Sequence, residues 1–361
     1  TAASATKTSA TAEDGIAIWK GYIFHFRNGF IDYATISSGT VGAWTDEWKS
    51  ISGSVQKCTI VGRDDVLYFG NGSFVGSIIE NAGQTFAPGT AATFTFNDQA
   101  LGISGFDSVQ SLEEQSTNLL IGGTQDVVYV WDRFSPLPND RIFLADRFVA
   151  KMVRANNNVF IFPGKNQGRG RIYITNGSQA TLFFKIPDHM TKNQEPYYLW
   201  GDAIYHRNKL IFGWSSVTNA NAVSNNTDGV WAIDLETNAF SQLSGLSTGG
   251  SPSVLIPDTK GGSLKGMAYI VGAYTTANAY SISHSNTAAG TGTAIIQTDW
   301  VPVGTFIKKR TFRQIEYKLA VPLETGESIR LDIIADNDSQ IVATDSTVGH
   351  LSNVYPVNVQ T

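Results

Sequence analysis

Gly21-Tyr22-Ile23-Phe24, then Arg27-Asn28-Gly29, then Phe30-Ile31-Asp32-Tyr33 is the stretch that decides the fold. An apolar aromatic run, a turn containing glycine and a second apolar run describe a β-hairpin. The unit returns as Val66-Leu67-Tyr68-Phe69, Gly70-Asn71-Gly72 and Phe74-Val75-Gly76-Ser77-Ile78. A third copy runs from Asn118-Leu119-Leu120-Ile121 through Gly122-Gly123 to Val127-Val128-Tyr129-Val130-Trp131. The fourth pairs Asn158–Phe162 with Arg171–Ile174, the fifth Lys209–Trp214 with Val230–Asp234, and the sixth Gly266–Val271 with Ala279–Ile282.

These units begin near residues 21, 66, 118, 158, 208 and 266, a spacing of about 40 to 58 residues. Most follow a further short strand, as at Lys57–Val61, Ala150–Arg154 and Tyr198–Gly201. Three or four strands per repeat at this period is the pattern of a β-propeller, here of about six blades. The runs are nearly continuously apolar because the inner strands of a blade are buried on both faces. A tandem of β-sandwiches is the main rival, and a β-helix needs a shorter period of about 20–25 residues. No segment holds a helical apolar stripe.

After about residue 298 the pattern changes. Thr311–Leu319 and Ser328–Ile334 alternate with period two around a turn at Pro322 and Glu324–Glu327, which reads as a hairpin of a small β-sandwich-like domain. The expected organisation is a flexible N-terminal arm over 1–12, a propeller over 13–298 and a small C-terminal β domain over 299–361. The tail after Asp345 is less regular, so that domain can be incomplete. The chain starts at Thr1 rather than Met, which fits processing or membership of a longer polypeptide.

Composition agrees with an all-β chain. Of 361 residues, 42% are hydrophobic, including 20 Phe, 13 Tyr and 8 Trp, and 35 are glycine. A net charge of −5 makes no footprint for nucleic acid. The basic cluster Lys308-Lys309-Arg310 reads as a solvated strand start or as a contact point for acidic neighbours. No run approaches the ~18 apolar residues of a membrane helix. Cys58 is the single cysteine, so an intrachain disulfide and a CxxC metal site are excluded. It reads as a small apolar residue, and the chain fits assembly in a reducing cytoplasm.

The five histidines lack metal-ligand spacing. Asn225–Gly229 and Asp336–Ser339 are oxygen-rich but lack calcium-loop spacing, and Asn, Asp and Gly also dominate ordinary turns. No phosphate loop, nucleophile elbow or dinucleotide fingerprint occurs, so no metal, cofactor or catalytic residue is assigned. Ile79 to Phe86 resembles the Asp-box turn of sialidase propellers, with Asn81 in place of the Asp and Phe86 in place of the Trp. That turn is structural, and no motif ties the arginines into a sialidase site. Trp44 and Trp48 fall in a stretch that reads as a loop, suited to glycan stacking or a protein interface; the plainer reading packs them between blades.

Asp299-Trp300-Val301-Pro302-Val303-Gly304, followed by Lys308-Lys309-Arg310-Thr311-Phe312-Arg313-Gln314-Ile315, resembles a pattern in structural proteins of tailed bacteriophages. There a propeller-like region ends in a strand with an aromatic residue and a glycine, and a basic-aromatic strand opens a small β domain. The resemblance covers about 40 C-terminal residues and continues over Leu319–Gly326. It implies a virion component of the tail, of nozzle, hub or tail-tip type, assembled in the host cytoplasm. It implies no enzyme activity, other tail proteins as partners, and a homo-oligomer. Interface candidates are then Trp44, Trp48, Lys308, Lys309 and Arg310. The alternatives are a carbohydrate-binding or glycan-cleaving propeller, with a host surface glycan as ligand, and a bacterial surface adhesion propeller.

Overall fold

The computed structural model describes residues 15–27, 29–52, 58–164, 170–186, 199–215, 229–245, 251–257, 269–276, 279–284, 295–297, 311–318, 323, 328–335, 338–350 and 352–360. The chain divides into two compact units, Thr1–Gln297 and Thr298–Thr361.

In the first unit the hairpins grow into antiparallel sheets paired in chain order. The first holds Gly15–Trp19 (β1), Tyr22–Arg27 (β2), Phe30–Ser37 (β3) and Thr40–Ser50 (β4). The second holds Thr59–Val61 (β5), Leu67–Asn71 (β6), Phe74–Glu80 (β7) and Phe94–Gly102 (β8). Ser111–Gln115 (β9), Asn118–Gly122 (β10), Val127–Trp131 (β11) and Asp140–Phe143 (β12) make the third. Val149–Ala155 (β13), Asn158–Pro163 (β14), Arg171–Thr175 (β15) and Ala180–Lys185 (β16) make the fourth. The fifth contains Leu199–His206 (β17), Lys209–Ser215 (β18), Gly229–Asp234 (β19) and Phe240–Gly245 (β20). The sixth contains Ser251–Pro257 (β21), Tyr269–Thr276 (β22) and Ala279–His284 (β23), after which Ile295–Gln297 (β24) returns to pair with β20.

The first strands of these sheets succeed one another. β1 lies against β5, β5 against β9, β9 against β13, β13 against β17 and β17 against β21. Up-and-down sheets joined through their first strands are the blades of a β-propeller, and each hairpin named from the sequence supplies the second and third strands of one blade. A buried cluster fills each of five seams. Phe24 and Phe26 meet Phe69 and Phe86 between blades 1 and 2. Tyr68 and Val75 meet Leu119 and Tyr129 between blades 2 and 3. Leu120 and Val128 meet Met152 and Ile161 across the next seam, and Phe160 and Phe162 meet Phe212 and Trp231 across the fourth. Leu255 joins Ile211 and Val230 at the fifth. Leu119 and Leu120 are adjacent in β10 yet face opposite seams, so the strand has no polar face to alternate with.

Hydrogen bonds and ion pairs tie the blades together near these first strands. The Thr59 hydroxyl donates to the Ile16 carbonyl (2.9 Å), and the Arg63 amide donates to Glu114 Oε1 (2.9 Å). The Met152 amide donates to Ser111 Oγ (2.9 Å) and the Arg154 amide to Glu113 Oε2 (3.2 Å). Lys151 Nζ lies 2.8 Å from Asp202 Oδ1, and the Leu255 amide donates to Asp202 Oδ2 (3.1 Å). Burial holds the Glu113 carboxyl above its ordinary range against these donors.

The second unit holds Thr311–Lys318 (β25), Ile329–Ala335 (β26), Asp338–Asp345 (β27) and Ser352–Gln360 (β28). The hairpin expected from Thr311–Ile334 is not formed: β25 pairs with β28, and β26 with β27. Alternation fixes which face a strand buries but not which strand it pairs with, and the actual partners lie in the less regular tail. A second correction concerns Trp44 and Trp48, which lie on β4 rather than in a loop. The pairing slips between Ile31 and Tyr33, and Glu47 takes a left-handed φ of 54°. This bulge in a strand with many exposed residues gives the segment its loop-like sequence. The arm expected over 1–12 lies outside the described residues, as do 165–169, 216–228 and 285–294 between the paired strands.

Gly122 sits at a seam. A Cβ there would lie 2.4 Å from Val149 Cγ1 and 2.7 Å from Val149 Cβ, and Val149 is fully buried. Replacing Gly122 with Ala should therefore force blades 3 and 4 apart and cost about 1–3 kcal/mol. Urea unfolding would show this as a lower midpoint at unchanged slope.

Candidate functional site

Between β11 and β12 the chain reads Asp132-Arg133-Phe134-Ser135-Pro136-Leu137-Pro138-Asn139. Two prolines fix φ and remove two amide donors. The Asp132 carboxylate organises the rest. It accepts from the amides of Phe134 (2.8 Å) and Ser135 (2.7 Å), the Ser135 hydroxyl (2.8 Å) and Asn139 Nδ2 (2.9 Å). The Asp132 amide donates to Asn139 Oδ1 (2.7 Å), and the Trp131 indole donates to the Ser135 carbonyl (2.8 Å). The Ser135 and Phe134 amides, above all, hold the Asp132 carboxyl down at about 2.

Arg133 anchors this loop to blade 2. Its backbone is left-handed, with φ 74°, and its side chain is 9% exposed. The guanidinium pairs with Glu114, lies 3.0 Å from Asp64 Oδ2, and sits over the Tyr68 ring at 5.6 Å from the centroid. Tyr68 in turn donates to Asp64 (2.7 Å), and burial, above all, pushes its phenol well above the ordinary range. The outcome is a braced loop whose apolar side chains face solvent: Phe134 is 93% exposed and Leu137 68%.

The other end of blade 3 repeats the arrangement. β11 runs from Val127 to Trp131, and Phe143, 69% exposed, pairs with Val127. Phe106, 93% exposed, lies beside the turn that precedes Val127, because Gln125 Nε2 donates to its carbonyl (3.3 Å). Buried Asp107 fixes this corner through the Ser108 amide (2.8 Å), the Thr124 hydroxyl (2.8 Å) and Tyr129 (3.1 Å). Asp146 accepts from Tyr173 (2.9 Å) in the same way one blade on.

The residues singled out from the sequence fare differently. Trp48 packs at the first seam, 5.3 Å from Phe94 and 5.5 Å from Tyr33 between ring centroids, and its indole donates to the Pro88 carbonyl (2.8 Å). Half-buried Trp44 meets His25 edge-on at 6.2 Å. The structure does not bring these two into the loop 132–139 network. Lys308, Lys309 and Arg310 lie outside the described residues. The Asn81 turn closes on itself, with Asn81 Nδ2 donating to the Ala92 carbonyl (2.9 Å) and Thr95 donating to Asn81 Oδ1 (2.8 Å). Phe86 is buried in the seam. Phe106, Phe134, Leu137 and Phe143 escaped the sequence reading, although a Phe and a Leu within Phe134-Ser135-Pro136-Leu137-Pro138 are unusual in a turn.

In the second unit, Asp345 accepts from Tyr317 (2.6 Å) and Asn353 (3.0 Å) and lies 2.9 Å from His350 Nδ1. These partners, His350 foremost, hold its carboxyl far below the usual range, while burial and Asp345 push Tyr317 up to about 12. Among the described residues no three His, Cys, Asp or Glu side chains gather as metal ligands, and no helix is long and apolar enough to cross a membrane.

No family model and no curated protein matches the chain. Among solved structures it is similar to the hydrazine synthase of Kuenenia stuttgartiensis, at 12% identity over 74% of this chain and 75% of that one, with a TM-score of 0.50. It is also similar to the WD40 β-propeller domain of Doa1, at 11% identity over 73% and 77%, with a TM-score of 0.45. BamB from Moraxella catarrhalis shares 13% identity over 92% and 87%, with a TM-score of 0.43. At such identities the likeness concerns fold alone, and the class defined here, an all-β propeller, rests on the strand pairing and seams described above.

Two outcomes follow. The carboxyl carbon of Asp132 should titrate with a midpoint of about 2 by NMR, with the Phe134 and Ser135 amide shifts moving at the same midpoint. Its folded value is depressed, so the brace it provides is complete above the unfolded value of ~3.9 and is lost only as pH falls through the folded one. Replacing Arg133 with Met takes the nearer of two guanidinium partners from buried Glu114, leaving Arg63 Nε at 3.9 Å, and should cost about 1–3 kcal/mol in chemical denaturation.

Proposed function

We propose that this propeller is a non-enzymatic structural component of a tailed-phage virion, located in the tail and acting by protein–protein assembly with other tail proteins and with copies of itself. The observation that carries the assembly role is the pair of braced corners of blade 3, where buried ion pairs and hydrogen bonds hold apolar side chains out in solvent. Rigid, exposed aromatic side chains lose little entropy on docking, which is what interface anchors need. The tail assignment is supported by the resemblance over Asp299–Ile315.

Deleting residues 299–361 should leave a folded propeller that no longer enters particles. Quantitative mass spectrometry of purified virions from cells expressing full-length or truncated chain would show this. Normal incorporation of the truncated chain would remove the docking role from the C-terminal unit, and absence of the full chain from particles would remove the tail assignment. Saturable binding on a glycan array, or turnover of a fluorogenic sialoside, would favour a carbohydrate-directed propeller instead.

A further inference from the structure

Three Asn-Gly pairs occur in the chain, Asn28-Gly29, Asn71-Gly72 and Asn176-Gly177. In such a pair the amide nitrogen of the glycine can attack the Asn side-chain carbonyl, because glycine puts no side chain in the way. The first Asn lies outside the described residues. Asn71 is fully buried at the end of β6, and its Nδ2 donates to the Asp98 carbonyl (2.7 Å) and to Ser52 Oγ (3.2 Å). Its side-chain amide is tied down and shut off from water. Asn176 is the opposite case. It is exposed and opens the loop 176–179 between β15 and β16, just after the last pair, Thr175 with Ala180.

The Asn176 side chain is held for attack. Its Oδ1 accepts from the Ser178 amide (3.3 Å) and the Ser178 hydroxyl (2.9 Å). The bond to the amide two residues on is an Asx turn, which folds the side chain back toward the Gly177 peptide. The two donors also face the oxygen that gains charge when the carbonyl is attacked, as in an oxyanion hole. Gly177 has a φ of 102°, a conformation that favours glycine, and its amide donates to Thr175 Oγ1 (3.0 Å). We infer that Asn176 is a site of spontaneous deamidation through a cyclic imide, assisted by Ser178. The Gly177 nitrogen loses its proton to base and forms a bond to Asn176 Cγ. The bond from Cγ to Nδ2 breaks, and ammonia leaves with the returned proton. Water then opens the ring at either carbonyl, giving an aspartyl or an isoaspartyl residue with no change of oxidation state. Either product places a new negative charge on the loop. The isoaspartyl form also lengthens the main chain by one carbon, in a loop that lies close to blade 3: a Cβ on Gly177 would come within 3.3 Å of Gln115 Oε1. Ageing of the protein thus alters a contact between blades 3 and 4.

Incubation of the full chain in mildly alkaline buffer, followed by peptide mapping with mass spectrometry at intervals, tests this. Peptides that contain position 176 should gain nearly one mass unit and separate into aspartyl and isoaspartyl products, while those that contain Asn71 stay unchanged. The rate should rise with pH, because base removes the Gly177 proton. In denaturant Asn71 should convert as well, which would show that folding protects it. Ser178→Ala removes one donor from Asn176 Oδ1 and should slow conversion several-fold. Asn176→Gln, which needs a larger ring, should abolish it. Both substitutions fall on exposed positions, and thermal midpoints check folding. Conversion of Asn71 as fast as that of Asn176 in the folded chain would overturn the proposal. So would an aspartyl product without its isoaspartyl partner, which marks direct hydrolysis rather than ring closure. Asn176 left intact over a period in which the denatured chain converts would overturn it too, and an unchanged rate in Ser178→Ala would remove the part given to Ser178.

Discussion

The structure depends on how the first strands of successive blades are tied to one another. Each of five junctions has a polar link as well as an apolar seam: Thr59 to Ile16, Arg63 to Glu114, Ser111 and Glu113 to the amides of Met152 and Arg154, Lys151 to Asp202, and Asp202 to the Leu255 amide. Hydrophobic seams are non-directional and would tolerate blades sliding past one another. Hydrogen bonds to specific amides fix the offset. Glu113 illustrates the balance, since burial disfavours its charge while two amides reward it.

The same logic recurs at the corners. A carboxylate whose acceptor sites are filled can hold a loop in one conformation, and buried Asp107 and Glu114 and half-buried Asp132 each do so with different donors. Removing such a carboxylate leaves amides or a guanidinium unpaired, so these corners resist rearrangement. Apolar side chains placed on them are presented rather than merely exposed. That distinction separates Phe134 and Phe106 from Ile16 and Ile18 of β1, also exposed, which lie on the regular face of a strand.

The propeller was legible in the sequence because its signal is redundant. The paired apolar runs mark the second and third strands of every blade, and double-sided burial makes them conspicuous. Pairing in the second unit was not legible, because β25 and β26 alternate equally well and nothing in Thr311–Ile334 states that β28 and β27 are their partners. Trp44 and Trp48 misled because an edge strand with a bulge has the composition of a loop. The braced corners escaped notice because their logic is spatial. Arg133 is separated by 19 residues from Glu114, and Asp107 by 22 from Tyr129, distances over which composition carries no message.

The central claim is that the six sheets are arranged around an axis rather than stacked in a row. Electron–electron distances between spin labels at Ile18, Thr117 and Arg207, in a Cys58→Ala background, test it directly because these positions lie in or close to the turns between the first and second strands of blades 1, 3 and 5. Around an axis the three pairwise distances are nearly equal. A blade 1 to blade 5 distance close to twice the blade 1 to blade 3 distance would show a linear array and contradict the propeller.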